Sequence, residues 1–385
     1  MLRFMTAGES HGPGLVTIVE GLPRGLHVSA DQITEELARR RMGYGRGKRM
    51  AIEKDEIEIL GGIRHGGTLG SPVAVLIRNT EWPRWSEEMS PEPAASRKQV
   101  TRPRPGHADL PGMLKYGTDD ARDILERASA RETAARTVAG VLAKIFLATA
   151  NVRVLSHVVA IGRASSEGPM PGPHDRDRID ESPVRCLDPA AESAMVAAIE
   201  DAKSQRDTLG GVFEVLGFGV PPGIGSHVHY DRRLDALLAA ALMSIPAIKG
   251  VEIGDGFETA ALPGSKSHDE ILLEDGTLQR PTNRAGGTEG GMSNGETIRV
   301  RGAMKPISTL MRPLRTVDMS TGEPAEAVRE RSDVCAVPAA GVVGEQMVAF
   351  VLAAEFQRKF GGDTVDEFVA AVDRYRSGLS TRPGR

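Results

Sequence analysis

The chain has 385 residues, a formal net charge of −4 and an aromatic content of 4%. A weakly acidic chain with few aromatic side chains lacks the basic, base-stacking surface that nucleic-acid-binding proteins use. We expect no membrane span, because charges interrupt the apolar runs before they reach the roughly 18 residues that cross a bilayer. The N-terminus has no signal-peptide core, and Cys186 and Cys335 show no metal-ligand spacing. These features predict a cytoplasmic protein without a disulfide or a metal.

Capping signals and hydrophobic periodicity predict the elements in chain order. Ser29 and Gln32 form a capping box, which begins a helix that Gly43 ends. Further helices are predicted over 130–149, 188–205, 232–243 and 342–360 and after the capping residue Thr364. Strands are predicted over 15–20, 72–78 and 152–162 and at the end of the glycine-dense segment 283–305. Apolar helices interleaved with antiparallel hairpin strands predict one cooperative α/β unit of the α+β type over 1–385.

The common nucleotide-binding motifs do not fit this sequence. Residues 210–219 resemble the start of a dinucleotide fingerprint, but Pro221 and Pro222 stand where the phosphate-binding helix should begin. No P-loop motif occurs in the sequence. His227 and His229 share one face of a possible strand, and two histidines are too few to indicate a metal. The Pro-rich segment 79–101 is interpreted as an excursion within one domain rather than a domain boundary, and 165–185 is interpreted as a loop.

The most informative stretch is 102–140, where a basic loop runs into the long predicted helix. Two prolines flank Arg104 and restrict the loop, and Gly106 allows a tight turn that presents His107 beside Asp109. Further cations and a hydroxyl follow at Arg127, Ser129, Arg131 and Arg136. A solvated basic turn is the alternative, but fixed cations beside a histidine favour a polyanionic ligand.

Four other segments carry candidate functional side chains. His11 lies within a glycine-rich turn, where it is either a ligand contact or an ordinary turn histidine. The arginine run at 39–41 is either a helix-dipole partner or, with Arg46 in its glycine-rich loop, an anion-binding element. The remaining two segments are the glycine-dense loop 283–295, which suits close backbone approach to a phosphate or a flat ring, and the cation and hydroxyls of 305–309.

Eight ordered blocks of the sequence resemble one family, the chorismate synthases. The blocks are GESHG (8–12), RRRMGYGRGKRM (39–50), RPGHAD (104–109), RASARET (127–133), IKGVEIGDGF (248–257), NRAGGTEGG with SNG (283–295), KPIST (305–309) and ERSDVCAVP (330–338). The resemblance implies a carbon–oxygen lyase of the shikimate pathway, which converts 5-enolpyruvylshikimate 3-phosphate to chorismate. It also implies reduced FMN, a homotetramer, and helices sandwiched between two antiparallel β-sheets.

The resemblance also assigns binding residues. The flavin would be lined by Arg127, Ala128, Ser129, Pro246, Ala247, Gly290, Lys305, Pro306, Ile307, Ser308, Thr309 and Arg331. Arg40 and Arg46 correspond to positions that contact the substrate or NADP, and Arg131 joins the same anion-binding arginines. Many relatives carry serine and asparagine where this chain has Ala128 and Pro246. Any flavin contacts at these two positions must therefore come from the backbone or from packing.

Three residues would handle protons in the reaction that the resemblance implies. His11 would protonate or stabilise the departing phosphate, and His107 would tune the protonation of the flavin ring. Asp333 would act as the base, either through the flavin N5 or directly, with Arg331 keeping its carboxylate ionised. An N-cap or a structural ion pair with Arg331 is the alternative for Asp333.

Two other classes of protein compete with the lyase. A nucleic-acid-binding protein would need a basic domain with stacking aromatics, and a phosphoryl transferase would need a phosphate loop and paired metal carboxylates. The sequence has neither set of features. Because it also lacks a separate dinucleotide-binding pattern, we expect the enzyme to receive reduced FMN from an external reductant.

Overall fold

A computed structural model describes residues 1–47, 55–93, 98–274, 276–328 and 333–379. The strands are β1 (Arg3–Ala7), β2 (Gly14–Glu20), β3 (Ile57–Gly61), β4 (Ile63–Arg64), β5 (Gly67–Thr68), β6 (Val73–Arg78), β7 (Arg153–Ile161), β8 (Ala164–Ser165), β9 (Gly211–Phe218), β10 (Ile248–Ile253), β11 (Leu272–Glu274), β12 (Thr277–Gln279), β13 (Thr288–Glu289), β14 (Met292–Ser293), β15 (Ile298–Met304), β16 (Arg315–Val317) and β17 (Pro324–Glu326).

The helices alternate with these strands along the chain. They are α1 (Ala30–Arg41), α2 (Trp82–Trp85), α3 (Asp109–Tyr116), α4 (Arg122–Leu125), α5 (Thr133–Thr149), α6 (Arg176–Glu181), α7 (Pro189–Ser204), α8 (Leu234–Met243), α9 (Gly256–Ala260), α10 (Gly264–Ser267), α11 (Val337–Phe360) and α12 (Val365–Leu379). A short 3₁₀ turn, Ala130–Glu132, leads directly into α5.

Two antiparallel sheets enclose the main helices. The first has the strand order β1-β2-β6-β3, and the second has the order β10-β15-β9-β7-β8. Helix α5 packs on the first sheet through β1, β2 and β6, whereas α11 packs on the second through β7, β9 and β15. The two helices also contact each other, so the layers run sheet, helices, sheet. The predicted helical sandwich of the α+β type is therefore confirmed.

The contact between α5 and α11 is close because small residues line it. A Cβ atom on Gly140 would lie 2.2 Å from the Cβ of Gln346, which leaves room for hydrogen alone at that position. Most of the alanines and valines of both helices are buried. The core thus forms where the two helical layers meet.

Three helix starts that local capping signals predicted are confirmed. The capping box of α1 is present, since the Ser29 side chain accepts from the Gln32 backbone N–H and the Gln32 side chain accepts from the Ser29 backbone N–H. The predicted start of α7 is confirmed by Asp188, whose carboxylate accepts two backbone N–H bonds. Thr364 accepts a bond from the Glu367 backbone, as expected of a cap.

Four expectations about the fold are wrong. Residues 227–229 form bends rather than a strand, and the His229 side chain is exposed beside Asp231. The predicted loop 165–185 contains α6, and the last long helix begins at Val337 rather than 342. Helix α11 is also apolar and long enough to cross a membrane, contrary to the expectation from charge pattern. Because 89% of its most apolar window is buried inside the fold, α11 is a core helix.

Candidate active site

A cleft of about 510 Å³ lies where the ends of several distant segments meet. A cavity of this size suits small-molecule ligands rather than a macromolecule. Its lining comes from the turn after β1, the end of α1 with the turn that follows, the loop before α3, the segment from α4 to the 3₁₀ turn, the turn before β10, the end of β15 with residues 305–309, and residues 333 and 336.

Most of the predicted site residues line this one cleft. They are His11, Arg40, Arg46, His107, Ala128, Ser129, Arg131, Pro246, Ala247, Lys305, Ile307, Ser308, Thr309 and Asp333. Arg104, Met304 and Leu125 line it as well. Positions separated by more than 300 residues therefore contribute to one surface.

The structure places three predicted residues outside the lining. Arg127 turns away and donates to the backbone oxygens of Thr6 and Gly8, each at 3.0 Å. Gly290 occupies the tight turn between β13 and β14 with a φ of +58°. Pro306 lies between two lining residues without lining the cleft itself. Arg331 lies outside the described residues, as do the last three residues of the block 39–50.

One wall of the cleft is the proline-rich loop, which is fixed by a buried carboxylate. Gly106 has a φ of +78°, and its carbonyl accepts a bond from Lys305. Asp109 is fully buried, and its Oδ2 accepts bonds from the backbone and the Nε of Arg104 at 3.0 and 2.8 Å. Its Oδ1 lies 2.5 Å from Nδ1 of His107. Burial alone would raise the pKa of Asp109, but the hydrogen bonds from His107 and Arg104 lower it well below its usual range.

We expect Asp109→Ala to destabilise the protein by about 3–5 kcal/mol, because it leaves the buried Arg104 without its carboxylate. Denaturant unfolding measures the change. Since the folded-state pKa of Asp109 is depressed, its stabilisation is present above the unfolded pKa of about 4 and is lost as the pH falls further. The exposed pair of Glu58 and Arg78 is the control, and Glu58→Ala should cost less than about 1 kcal/mol. Equal costs for the two variants would contradict the buried role of Asp109.

A second histidine faces the cleft from the turn after β1. Its ring nitrogen Nδ1 lies 2.8 Å from the buried carboxylate of Glu126, and its ring stacks on Trp85 with centroids 4.2 Å apart. Ser10, the preceding residue, accepts a bond from the Ser129 hydroxyl at 3.2 Å. This residue, His11, is therefore held from both sides, which an ordinary turn histidine would not require.

Asp333 also lines the cleft. Its Oδ2 lies 2.7 Å from the guanidinium of Arg46, and its Oδ1 accepts the backbone N–H of Gly47 at 2.6 Å. The sequence predicted Arg331 as the cation beside this carboxylate, but the described contact is with Arg46. The glycine-rich loop after α1 therefore brings an arginine to Asp333 across 287 positions of sequence.

Buried carboxylates also orient the arginines of α1 and the 3₁₀ turn. Asp55 contacts three guanidinium groups, those of Arg131, Arg41 at 3.5 Å and Arg40 at 3.7 Å. Arg40 also donates to Thr133 at 3.3 Å. Because they share contact with one carboxylate, these guanidinium groups lie close together, and clustered guanidinium groups bind multiply charged anions.

Sequence reasoning missed Asp55, Trp85 and Glu126. None of them contributes to the cleft surface, and each acts on a residue far away in the sequence, such as Glu126 on His11 at a separation of 115. The one available signal was the position of Glu126 directly before the RASARET block. Nothing local relates Asp55 to the arginines it contacts.

The lining combines two kinds of surface. Arg40, Arg46, Arg104, Arg131 and Lys305 supply positive charge, and serine and threonine hydroxyls lie among them. Apart from His11, His107 and Asp333, the rest is glycine or apolar, with leucine, isoleucine, methionine, alanine and proline side chains. Such a cleft can bind a polyanionic substrate together with a flat, phosphate-bearing cofactor. Fold and site thus define an α+β enzyme for small anionic ligands.

Comparison with known proteins specifies the class further. The chorismate synthase family model matches residues 2–356. The chain is 61% identical to the chorismate synthase of Acidothermus cellulolyticus over 99% of this chain and 100% of that protein. It is 58% identical to that of Thermobifida fusca, again over 99% and 100%. A crystal structure of chorismate synthase superimposes with a TM-score of 0.80 at 41% identity, covering 99% of this chain and 98% of the other.

The chain belongs to the chorismate synthase family. The resemblance seen in the sequence is confirmed, and so is the expectation of a phosphate-eliminating lyase of the shikimate pathway. Dependence on reduced FMN is general in this family.

Proposed function

We propose that the cleft binds 5-enolpyruvylshikimate 3-phosphate beside reduced FMN and eliminates phosphate to form chorismate. The observation that carries the proposal is the convergence of five cations, two carboxylate-held histidines and one lining carboxylate on a single cleft. The substrate has two carboxylates and a phosphate, and FMN adds a second phosphate. The five lining cations match this load of negative charge.

The lining fits a flavin. Lys305, Ser308 and Thr309 offer a cation and hydroxyls to a phosphate, and Thr309 is already within 3.1 Å of the Arg104 guanidinium. Leu125 and Met304 give a flat ring an apolar surface. Ala128 and Pro246 contribute packing to this surface instead of the side-chain hydrogen bonds of many relatives. When bound, reduced FMN supplies the electron density that the elimination needs.

Each charged or titratable residue of the cleft then has a distinct task. Arg40, Arg46 and Arg131 neutralise the negative charges of the substrate. Arg40 and Arg46 can alternatively bind the phosphate of a nicotinamide nucleotide. His11 gives a proton to the phosphate oxygen as its bond to the ring carbon breaks. A proton leaves the ring carbon in the 1,4 relation to the phosphate, and its electron pair forms one double bond while the existing ring double bond shifts toward the carbon that loses the phosphate. Asp333 is the final acceptor of that proton. His107 controls protonation on the flavin side.

An anaerobic assay with chemically reduced FMN tests the function directly. We expect chorismate and inorganic phosphate to appear in equal amounts, and a transient flavin absorbance change only when FMN and substrate are both present. Omitting either ligand provides the control. Product formation without FMN, or no product with both ligands, would contradict the proposal. Tight, salt-sensitive oligonucleotide binding would instead favour the nucleic-acid alternative.

We further propose an external reductant for the flavin. The segment that resembled a dinucleotide fingerprint is β9, which ends in the Val220–Pro222 turn instead of a phosphate-binding helix. The enzyme therefore receives FMN that has already been reduced in the cytoplasm. Aerobic turnover by the purified protein with NADPH and oxidised FMN would contradict it.

The whole of 1–385 is proposed to act as one catalytic domain in a homotetramer. Support for assembly comes from large apolar side chains on the outer face of the first sheet, where Met5 is 70% and Leu60 is 54% exposed. Light scattering at working concentration tests the assembly, and a monomeric mass would contradict it.

A further inference from the structure

The side chain of Glu126 holds both the ring and the backbone of His11. Its Oε1 lies 2.8 Å from Nδ1 of His11, and its Oε2 accepts the His11 backbone N–H at 2.9 Å. Only 2% of the Glu126 side chain is exposed, whereas 14% of the His11 side chain is. A buried carboxylate that grips one residue at two points fixes the position of that residue as well as its ring angle.

Trp85 restrains the same ring from its flat side. The two rings are stacked with an interplanar angle of 28°, and their centroids are 4.2 Å apart. Lys98 and Arg122 lie over the Trp85 ring at 4.1 and 4.9 Å. Arg122 also donates to Glu126 at 3.0 Å, so the carboxylate and the tryptophan belong to one connected assembly.

The contact with Glu126 decides which nitrogen of His11 can act in the cleft. Glu126 takes Nδ1, which leaves Nε2 as the nitrogen available to a ligand. Burial raises the pKa of the Glu126 carboxyl, but the hydrogen bonds and charge of His11 outweigh that effect and lower it overall. Glu126 is therefore an anion at neutral pH. Held at Nδ1 by this anion, the ring presents Nε2 as its other donor position.

We propose that Glu126 is the positioning residue for His11, directing Nε2 into the cleft, where it can donate to the departing phosphate. Glu126 does not line the cleft, so it acts only through the histidine. The assignment rests on the proposed function, because it presupposes that His11 is the proton donor in the elimination.

The decisive variant is Glu126→Gln, which keeps the size but replaces one acceptor oxygen by an amide group that can only donate. The side chain can then no longer accept from both Nδ1 and the backbone N–H of His11, so the residue loses one of its two anchors. We expect kcat to fall about tenfold while KM for the substrate stays within about twofold, because only the placement of the proton donor changes. Binding of FMN in the presence of substrate should be retained, which shows that the variant is folded. Glu126→Asp keeps two acceptor oxygens and should recover part of the lost kcat.

Glu214→Gln is the matched control, since Glu214 is also a buried carboxylate bound to a histidine, His157 at 3.1 Å, but lies outside the cleft. Its kcat and KM should match those of the unchanged protein. An unchanged kcat in Glu126→Gln, or a loss that appears in KM alone, would overturn the assignment. The unchanged protein separates the two ideas: if it makes no chorismate anaerobically, the proposed function fails before Glu126 is tested.

Discussion

Replacing Asp333 by asparagine should reduce turnover about 100- to 10,000-fold, the range for loss of a positioned base. Asparagine can still accept the backbone N–H of Gly47, but it can neither take up a proton nor balance the charge of Arg46. The fold of the cleft should therefore survive while the proton acceptor is lost. Anaerobic turnover with reduced FMN and substrate measures the effect, and flavin binding in the presence of substrate reports whether the cleft is intact.

Asp255→Asn is the control for this variant. Asp255 is ion-paired with Arg299 at 3.0 Å and lies outside the cleft, and its side chain is 18% exposed, the same fraction as that of Asp333. Its substitution should leave turnover within about twofold. That result would show that removing a mostly buried, paired charge does not by itself lower turnover. Near-normal anaerobic turnover by Asp333→Asn would show that another group is the base, whatever the histidine variants do.

His107→Ala should also lose about 100- to 10,000-fold in turnover while still binding FMN with substrate. The imidazole lines the cleft and is fixed through Nδ1 by the fully buried Asp109, so its removal takes away the histidine of the loop 104–108. Because Arg104 retains its own bonds to Asp109, the loop itself should keep its conformation. Single-turnover measurements with reduced FMN separate a loss in chemistry from a loss in binding.

His157→Ala provides the comparison, since His157 is a similarly buried histidine paired with a carboxylate, but on the second sheet. We expect it to turn over normally. If His107→Ala loses substrate affinity with an unchanged kcat, the ring serves binding rather than protonation, and its proposed task is wrong.

The sequence predicted elements whose causes are local and missed those whose causes are tertiary. Ser29 and Asp188 sit within three residues of the backbone groups they cap, so each cap is readable in a short window. Helix α6 has six residues, no side-chain cap and one fully buried apolar residue, Ile179, which gives a window too little periodicity to detect. The strand expected near His227 failed because its neighbours make turns instead of pairing with a sheet.

The site divides along the same line. Lining residues such as His107 and Lys305 lie in compact motifs, so both composition and family resemblance identify them. Their partners depend on how distant segments pack in the folded structure. Arg46 contacts Asp333, and Asp55 contacts Arg131, although each pair is far apart in the sequence. Pairing across such separations leaves no periodicity in either segment.

The position of α11 near the end of the chain constrains the order of events during synthesis. Residues 337–360 provide the surface on which β7, β9 and β15 pack, yet they leave the ribosome after all of those strands. Until then, the second sheet lacks its main helical partner and is exposed to unwanted association. A nascent chain stalled before residue 337 should therefore remain sensitive to protease and dependent on chaperones, whereas the full chain, held on the ribosome by an added C-terminal linker, should resist digestion. Limited proteolysis of stalled chains would show whether the last helices complete the fold.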